Sequence, residues 1–388
     1  MDKRQHFIRN CYYNLLMTTH IAIFHPDHAG ILSAAIHLNA TKVILLHRKE
    51  DNCEGVKWVL RTRGIKFQCE AVSFDTNTFR NQIEHIINQH KEEKLILNAS
   101  NSYHKWVMLC FEQFIYHDFP VFMVDKFTNQ LSWLHQQSED QDEDISCHLK
   151  VHEYLMAFNT QVLNSGQKQA EPSQSRSLTH WLIDQIGSHD KQIAKLNYMA
   201  MMADGNHQHS MSHAELKDHD LQELLRHFKE ADMIEVHGKK ISFINKDNRF
   251  YCNGGWLENH VFSLMYGMRA KRPSLTDINK GMEIVRHQGT VKNEIDVIAM
   301  ANNRLHVIEC KTKKFGKSTK STAEANSIIY RLDTLKSLTG GLSGRAMLIS
   351  YQAINKYTYQ RAQDLGIHIC AHEQLKQLER HLYQFIDS

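Results

Sequence analysis

Residues 293–311, NEIDVIAMANNRLHVIECK, decide the fold of the C-terminal part of this chain. Two runs of strand-favouring residues flank the Asn-Asn pair at 302–303, which tolerates the positive φ angles of a tight turn. The stretch therefore predicts a β-hairpin in which the numbers of directly opposed residues sum to 605. Asp296 and Glu309 fit that sum, so we expect their Cβ atoms about 4.5–5.5 Å apart. Lys311 lies two residues beyond Glu309 and therefore on the same face of the strand.

Two facing carboxylates repel each other, which is unfavourable by up to about 1 kcal/mol. A divalent cation would remove that cost, because Mg²⁺ or Mn²⁺ binds through one or two carboxylates together with substrate phosphate oxygens. Such an ion polarises a phosphoryl oxygen and lowers the pKa of a bound water, while Lys311 is placed to hold or deprotonate that water or to neutralise charge on phosphorus. The alternative is a surface hairpin whose acids pair with nearby lysines. The apolar flanks VIAM and LHVI predict a buried hairpin and favour the metal site.

From Gly254 to the C-terminus the sequence resembles the PD-(D/E)XK nuclease superfamily. That family has a helix carrying a glutamate, a hairpin with a D…(D/E)xK motif, and then a helix, a strand and a closing helix. Here Glu258 lies in GGWLENHVFSLMY and the hairpin supplies Asp296, Glu309 and Lys311. The resemblance implies that these four residues are catalytic and that the three acids bind the metal. Taken alone, Glu258 is also explained as a helix N-terminal acid favoured by the helix dipole.

Bulk composition limits the other possibilities. The chain has 388 residues, enough for two or three domains, and its formal net charge of +3 at pH 7 requires any nucleic-acid contact to use a local basic patch. KTKKFGKSTK at 311–320 is such a patch. The eight cysteines form no CxxC pair, which is typical of reduced cytosolic thiols. No apolar run is long enough to span a membrane, so we expect a soluble, cytoplasmic protein.

The N-terminal region alternates short apolar strands with helices, beginning with HIAIF at 20–24 and KVILLH at 42–47. This alternation predicts a parallel, doubly wound α/β sheet. No GxGxxG follows the first strand, which argues against a dinucleotide coenzyme. Ligands of such sheets bind beyond the carboxyl ends of the strands, at the switch point of the strand order.

Two predicted strand ends are polar enough to form that ligand site. HPDHAG at 25–30 follows the first strand, and NASNSYHK at 98–105 ends the fourth and precedes a helix N-terminus suited to phosphate. Helix capping by Asn and Ser explains part of the second stretch. It does not explain so many polar residues followed by a lysine. The candidate ligand-binding residues are His25, Asp27, Asn98, Ser100, Ser102 and Lys105.

A Rossmann-like domain ahead of a PD-(D/E)XK domain resembles the CRISPR-associated Rossmann fold (CARF) nucleases that cyclic oligoadenylates activate. The family motif N-x-TGGTK-x-M is partly kept here as Asn98, Lys105 and Met108, with ASNSYH in place of the glycines. The resemblance implies cyclic tetra-adenylate as an allosteric activator in type III CRISPR antiviral defence. It also implies a homodimer, because a symmetric ligand suits paired N-terminal domains.

Between these regions, a polar linker at 163–174 precedes helices and a β-ribbon that resemble a winged helix, either a DNA reader or a structural connector. We therefore predict an α/β protein with a CARF sensing domain at 18–160, a linker and winged-helix-like connector at 161–248, and a PD-(D/E)XK nuclease domain at 249–388. The predicted activity is metal-dependent endonucleolytic cleavage of DNA and/or RNA under cyclic oligoadenylate control. Two alternatives stay open. One is a non-catalytic CARF and winged-helix regulator that binds nucleic acid, and the other is a restriction-type endonuclease without small-molecule control.

Overall fold

A computed structural model describes residues 18–73, 75–100, 104–125, 128–136, 142–146, 148–169, 171–203, 205–286, 289–313, 319–340 and 344–387. The chain divides into two compact units, the first formed mainly by residues 18–161 and the second mainly by residues 162–387. In the described part of the chain, no helix combines the length and the apolar character needed to span a membrane.

The first unit contains a seven-stranded sheet in the order β3-β2-β1-β4-β5-β6-β7. Strands β1 to β5 are parallel, and β6 and β7 are antiparallel to their neighbours. The strand order changes direction between β1 and β4, so the predicted switch point lies there. The strands are β1 (Thr18–Ile23), β2 (Lys42–His47), β3 (Lys66–Ala71), β4 (Lys94–Asn98), β5 (Val121–Asp125), β6 (Gln130–His135) and β7 (Glu143–Asp144).

Helices cover both faces of this sheet, as a doubly wound fold requires. Successive residues of a strand point to opposite faces, and Leu97 accordingly packs with Phe79 and Phe114 whereas Ile96 packs with Phe122 in a separate apolar cluster. The predicted doubly wound α/β architecture is confirmed. The helices are α1 (Ala29–His37), α2 (Glu54–Thr62), α3 (Thr76–Gln89), α4 (His104–Tyr116) and α5 (Val151–Ala157).

The second unit is built around a mixed sheet in the order β16-β15-β14-β13-β12-β8. Strands β12, β13 and β14 form an antiparallel meander, and β14, β15 and β16 are parallel. Paired positions in β13 and β14 sum to 605, from Ala301–Arg304 to Val297–Ile308, and the turn residues Asn302 and Asn303 have φ of 50° and 55°. The predicted hairpin is thus confirmed. The strands are β8 (Thr160–Asn164), β12 (Leu275–Arg286), β13 (Lys292–Ala301), β14 (Arg304–Lys311), β15 (Arg345–Ser350) and β16 (Ile367–Ala371).

The middle segment has the predicted winged-helix-like order, with helices followed by a β-ribbon. Its elements are α6 (Ser173–Asp184), α7 (Asp190–Met202), β9 (Gln208–Ser210), α8 (His213–Leu216), α9 (His219–Glu230), β10 (Ile234–His237) and β11 (Lys240–Phe243). Its buried residues do not form a separate core. Leu182 and Leu224 belong to the same apolar cluster as Trp256 and Phe385, so the connector packs as one body with the C-terminal residues.

The remaining helices frame the mixed sheet. A π-helical turn (Tyr251–Gly255) joins α10 to α11, and a 3₁₀ helix (His372–Gln377) precedes the last helix. Residues of α11 and the last helix pack on the sheet face that carries Val297 and Ile308. The helices are α10 (Lys246–Phe250), α11 (Trp256–Met268), α12 (Thr319–Gly340), α13 (Lys356–Asp364) and α14 (Leu378–Asp387).

Candidate functional site

The four predicted catalytic residues meet where β13 and β14 separate. The last paired positions of the two strands are Val297 and Ile308. One residue further, Asp296 points across the gap, and its Oδ2 accepts a 2.7 Å hydrogen bond from the Cys310 N–H. Asp296 and Glu309 therefore come together at the opening of the hairpin, although the ladder of paired residues ends just before them.

Lys311 binds both hairpin carboxylates. Its Nζ lies 2.6 Å from Glu309 Oε1 and 3.6 Å from Asp296 Oδ2. Asp296 and Glu309 are only 7% and 1% exposed. The alternative of a solvated surface hairpin is therefore wrong, although its premise that a lysine pairs with the acids holds.

Glu258 lies in the first turn of α11 and completes the acidic group. Burial, together with the charge of Asp296, raises the pKa of Glu258 well above its usual range. Burial and the charge of Glu309 raise the pKa of Asp296 to about 6. Glu258 and Asp296 thus resist ionisation because other acids are close and water is excluded.

The positive charge of Lys311 interacts with the same carboxylates, and this interaction changes the pKa of the lysine. Burial lowers the pKa of Lys311, but the negative charges of Asp296 and Glu309 raise it more, so the net pKa lies above the usual lysine range. The ammonium therefore stays protonated at neutral pH. In the metal-free site it is a hydrogen-bond donor and a fixed positive charge.

The donor set fits a hard divalent cation. Three carboxylates provide the oxygen ligands that Mg²⁺ and Mn²⁺ prefer, and a bound dication would relieve the repulsion that raises the pKa values of Glu258 and Asp296. Within the described residues, no three His, Cys, Asp or Glu side chains already stand at metal-binding geometry. The carboxylates would have to close on an incoming ion.

Two cations near these acids were not predicted from the sequence. Arg331 of α12 forms an ion pair with Glu309. Lys280 of β12 donates a hydrogen bond to Asn259, the neighbour of Glu258, and burial lowers the pKa of Lys280. Neither residue belongs to a motif, and only the tertiary fold brings them to the site.

A cavity of about 420 Å³ opens beside Glu258. Lys280 and Glu294 lie on its strand side, and Phe250 and Asn248 lie on the side of the connector. Lys280, Gly281 and Glu283 of its lining belong to β12, so the cavity lies beside this strand as well as beside Glu258.

The candidate ligand residues of the first unit lie at the carboxyl ends of β1 and β4. His25 Nδ1 accepts a hydrogen bond from the Asp27 N–H at 3.0 Å. Asn98, which is 2% exposed, donates to the Gly30 carbonyl at 3.3 Å and accepts from the Ser100 N–H at 3.0 Å. These bonds hold the first loop at residues 25–27 and the start of the second loop at residues 98–100.

Further along the second loop, Ser100 Oγ accepts a 2.7 Å hydrogen bond from the Val124 N–H. Lys105 is exposed in the first turn of α4, with its Nζ 5.0 Å from the centre of the Trp106 ring. Ser102 lies outside the described residues. Asn98 and Ser100 bond to neighbouring backbone groups at the start of the loop, whereas Lys105 offers a positive charge to solvent.

The chain is similar to one protein-family model and to several solved structures. Residues 245–387 match the family model described as the Card1-like endonuclease domain. The crystal structure of protein VC1899 from Vibrio cholerae is 24% identical, with a TM-score of 0.85, 95% of this chain covered and 98% of that one. Can2 from Sulfobacillus thermosulfidooxidans, solved in complex with cyclic tetra-adenylate, is 23% identical, with a TM-score of 0.79 and coverage of 96% and 100%.

A third solved structure, a type III CRISPR defence DNA nuclease activated by cyclic oligoadenylate, is 13% identical, with a TM-score of 0.56 and coverage of 94% of this chain and 51% of that one. No curated protein sequence matches the chain. The structural likenesses concern the fold, and the family match concerns the C-terminal domain. Together they confirm the predicted resemblance at the level of the fold, and residues 245–387 of the second unit are similar to the Card1-like endonuclease domain.

Proposed function

We propose that this protein is a metal-dependent endonuclease that hydrolyses DNA and/or RNA when cyclic tetra-adenylate binds its N-terminal domain, in type III CRISPR antiviral defence. The observation that carries the proposal is the convergence of Glu258, Asp296, Glu309 and Lys311 at the opening of a buried hairpin. This group lies inside the residues that match the Card1-like endonuclease domain.

The three acids would hold Mn²⁺ or Mg²⁺, which when bound supplies Lewis acidity and a water of lowered pKa. Lys311, protonated and 2.6 Å from Glu309, would help to position substrate and water and would offset negative charge as it grows on the phosphoryl oxygens. The Cys310 N–H holds the carboxylate of Asp296 in place at 2.7 Å. Chemistry thus depends on Glu258 of α11, on Asp296 of β13, on Glu309 and Lys311 of β14, and on the backbone amide of Cys310 that holds Asp296.

Positive charge beside the acids supports a nucleic-acid substrate. Lys280 is half-buried in the cavity next to Glu258, and the exposed Lys313 follows the catalytic strand. Lys314 and Lys317 of the predicted basic patch lie outside the described residues. Local cations of this kind hold a phosphate backbone even when the net charge of the protein is small.

Control by cyclic tetra-adenylate rests on the two loops at the switch point between β1 and β4 and on the likeness to Can2, which was solved with that ligand. Exposed apolar side chains on the first unit support a dimer. Met108 and Tyr116 of α4 are 64% and 82% exposed. A two-fold pair of these units would present both loops twice to a symmetric ligand.

The connector gives little support to the alternative of a DNA-reading regulator. In a winged helix, the helix before the β-ribbon reads the DNA, and here that helix is α9. It carries three acids, Asp220, Glu223 and Glu230, against Arg226 and Lys229. Such a helix is poorly suited to a phosphate backbone, whereas the shared core suits a structural connector.

One assay tests the proposal against its rivals. The purified protein is incubated with single- and double-stranded DNA and RNA in Mn²⁺, with and without cyclic tetra-adenylate, alongside Asp296→Asn. We expect cleavage that requires both the metal and the activator and that is absent in the variant. Equal cleavage without the activator would favour a restriction-type enzyme, and binding without cleavage would favour a regulator.

A further inference from the structure

Glu309 binds two cations at the same oxygen. Its Oε1 accepts from Lys311 Nζ at 2.6 Å and also forms an ion pair with Arg331 Nη2 from α12. Glu309 is the most buried of the hairpin acids, and the Arg331 side chain is 46% exposed. The arginine thus reaches from the surface into the centre of the candidate active site.

Arg331 and a metal ion compete for the same carboxylate. A dication bound to Glu309 would draw on the negative charge that now holds Arg331 and would repel the guanidinium beside it. Lys311 is held by two carboxylates at 2.6 and 3.6 Å and is 27% exposed, so it is the more firmly fixed cation. Arg331 is the more exposed of the two cations and pairs with one carboxylate, whereas Lys311 pairs with two.

The chemistry of the guanidinium indicates where it goes. Guanidinium groups match the paired oxygens of a phosphate, through two parallel hydrogen bonds. A phosphodiester bound next to Glu309 would lie within reach of the same side chain after rotation about its own bonds. On the surface of α12, Arg331 therefore faces both partners from one position.

We propose that Arg331 is a further catalytic residue, which holds Glu309 before the metal ion binds and then moves to the scissile phosphate. It thus competes with the ion for the empty site and stabilises the negative charge of the transition state in the loaded one. This inference rests on the proposed nuclease function. A purely structural ion pair between Arg331 and Glu309 would instead stabilise the site both before and after the metal ion binds.

The two roles give opposite effects in one variant. In Arg331→Met, Mn²⁺ should bind about two- to fivefold more tightly, the factor expected when a half-exposed competing ion pair is lost. Single-turnover cleavage at saturating Mn²⁺ should fall by about 10²–10³-fold. Arg331→Lys should recover part of the rate, because it keeps the charge but not the paired geometry.

The test combines calorimetric titration of Mn²⁺ into each protein without nucleic acid, thermal unfolding, and single-turnover cleavage with cyclic tetra-adenylate present. Arg361→Met is the matched control, because Arg361 lies 5.3 Å from the ring centre of Tyr330, next to Arg331 in the chain, and so removes a nearby guanidinium without touching Glu309. This control should bind Mn²⁺ and cleave like the unmodified protein.

Weaker or unchanged Mn²⁺ affinity in Arg331→Met would overturn the competition between Arg331 and the ion, and a normal cleavage rate would overturn its contact with the phosphate. If the unmodified protein and Arg361→Met cleave normally in the same experiment, only this inference fails. If the unmodified protein binds Mn²⁺ but cleaves no substrate, the proposed nuclease function fails, and the catalytic role of Arg331 fails with it.

Discussion

At the scale of single residues, Asp296 links proton binding, metal binding and stability. Its pKa is raised from 3.8 to about 6 by burial and by Glu309. The folded state therefore holds this proton more tightly than the unfolded state does. The resulting stability is fully present below the unfolded pKa and is lost as the pH rises through about 6, so the metal-free protein should be less stable at pH 8 than at pH 5.

Replacing Asp296 with Asn should remove this dependence. Asn keeps an oxygen that accepts from the Cys310 N–H, whereas Ala would leave that buried donor unpaired at a cost of about 1–3 kcal/mol. In chelator at pH 8, urea unfolding of Asp296→Asn should show a free energy of unfolding higher by about 1–3 kcal/mol, and the gain should vanish near pH 4. The exposed Asp364→Asn serves as control. A gain that does not change with pH would contradict this account.

Variants of Lys311 and Lys313, two lysines on one segment, separate an effect on the cleavage rate from an effect on substrate affinity. Lys311 contacts both carboxylates, whereas Lys313 is exposed two residues later. Lys311→Met should still bind Mn²⁺ and substrate but should lower single-turnover cleavage by about 10²–10³-fold. Lys313→Met should weaken binding modestly, flatten its salt dependence by about one unit of slope and leave chemistry intact. Equal effects of the two variants would reduce Lys311 to one more backbone contact.

At the scale of elements, the start of α11 is locked to the end of β14. Gly254 has a φ of +100°, and a Cβ there would lie 2.1 Å from Thr312 Oγ1, one residue after Lys311. The side-chain amide of Asn197, on the connector helix α7, is 3.0 Å from the same oxygen. The connector, the end of β14 and the start of the helix that carries Glu258 therefore meet without spare room.

This junction predicts a strong effect of one methyl group. Gly254→Ala should lower the free energy of unfolding by about 1–3 kcal/mol, through both the left-handed backbone and the clash, and should impair cleavage because Glu258 and Lys311 move apart. Gly267→Ala, in the same α11, meets no atom within 4 Å and should stabilise by about 0.5–1 kcal/mol. Thermal unfolding and cleavage rates of both variants check this. Normal cleavage by Gly254→Ala would contradict the expectation that the packing at this junction affects catalysis.

The same elements show how far sequence reasoning reaches. The hairpin and its register depend on residues that are close in the sequence. The turn at Asn302, together with the rule that the numbers of opposed residues sum to 605, is therefore sufficient to place Asp296 near Glu309. The same rule cannot show where the two strands separate. At that point the Cys310 N–H donates to the Asp296 side chain and not to a backbone carbonyl of the opposite strand. Arg331 lies 22 residues beyond Glu309 on a helix, and no periodicity specifies which exposed side chain of α12 turns inward.

The connector shows a similar limit. Its apolar residues follow helical and strand periods that a separate small domain would also show, so a distinct module over 161–248 is a reasonable prediction from the sequence. In the structure, Leu224 and Phe228 share one apolar cluster with Trp256 and Phe385. Sequence patterns indicate which face of an element is buried but not which neighbour covers it.

At the scale of the whole molecule, activation should depend on pairing of the first unit. Met108 and Tyr116 are exposed apolar residues of α4, and burying them against a second copy would remove that surface from water. Met108→Glu with Tyr116→Glu should yield a monomer by light scattering that binds Mn²⁺ but no longer responds to cyclic tetra-adenylate. Tyr357→Glu, at a residue 83% exposed in the second unit, should stay paired. A doubly substituted protein that remains dimeric would move the interface elsewhere.

At the proposed activator site, Lys105 and Asn98 have different expected roles. Lys105 would contact the ligand, whereas Asn98 would hold the loop. Lys105 presents a solvent-exposed charge at a helix N-terminus, whereas both ends of the Asn98 amide are bonded to Gly30 and Ser100. Lys105→Met should therefore weaken cyclic tetra-adenylate binding in a salt-dependent way, because one phosphate contact is lost. Asn98→Ala should weaken binding equally at low and high salt, because the loop loses its shape. Calorimetry at two salt concentrations distinguishes these effects, and Mn²⁺ titration should be unchanged in both variants because they leave the carboxylates of the second unit intact. Undiminished binding in both would place the ligand outside these loops.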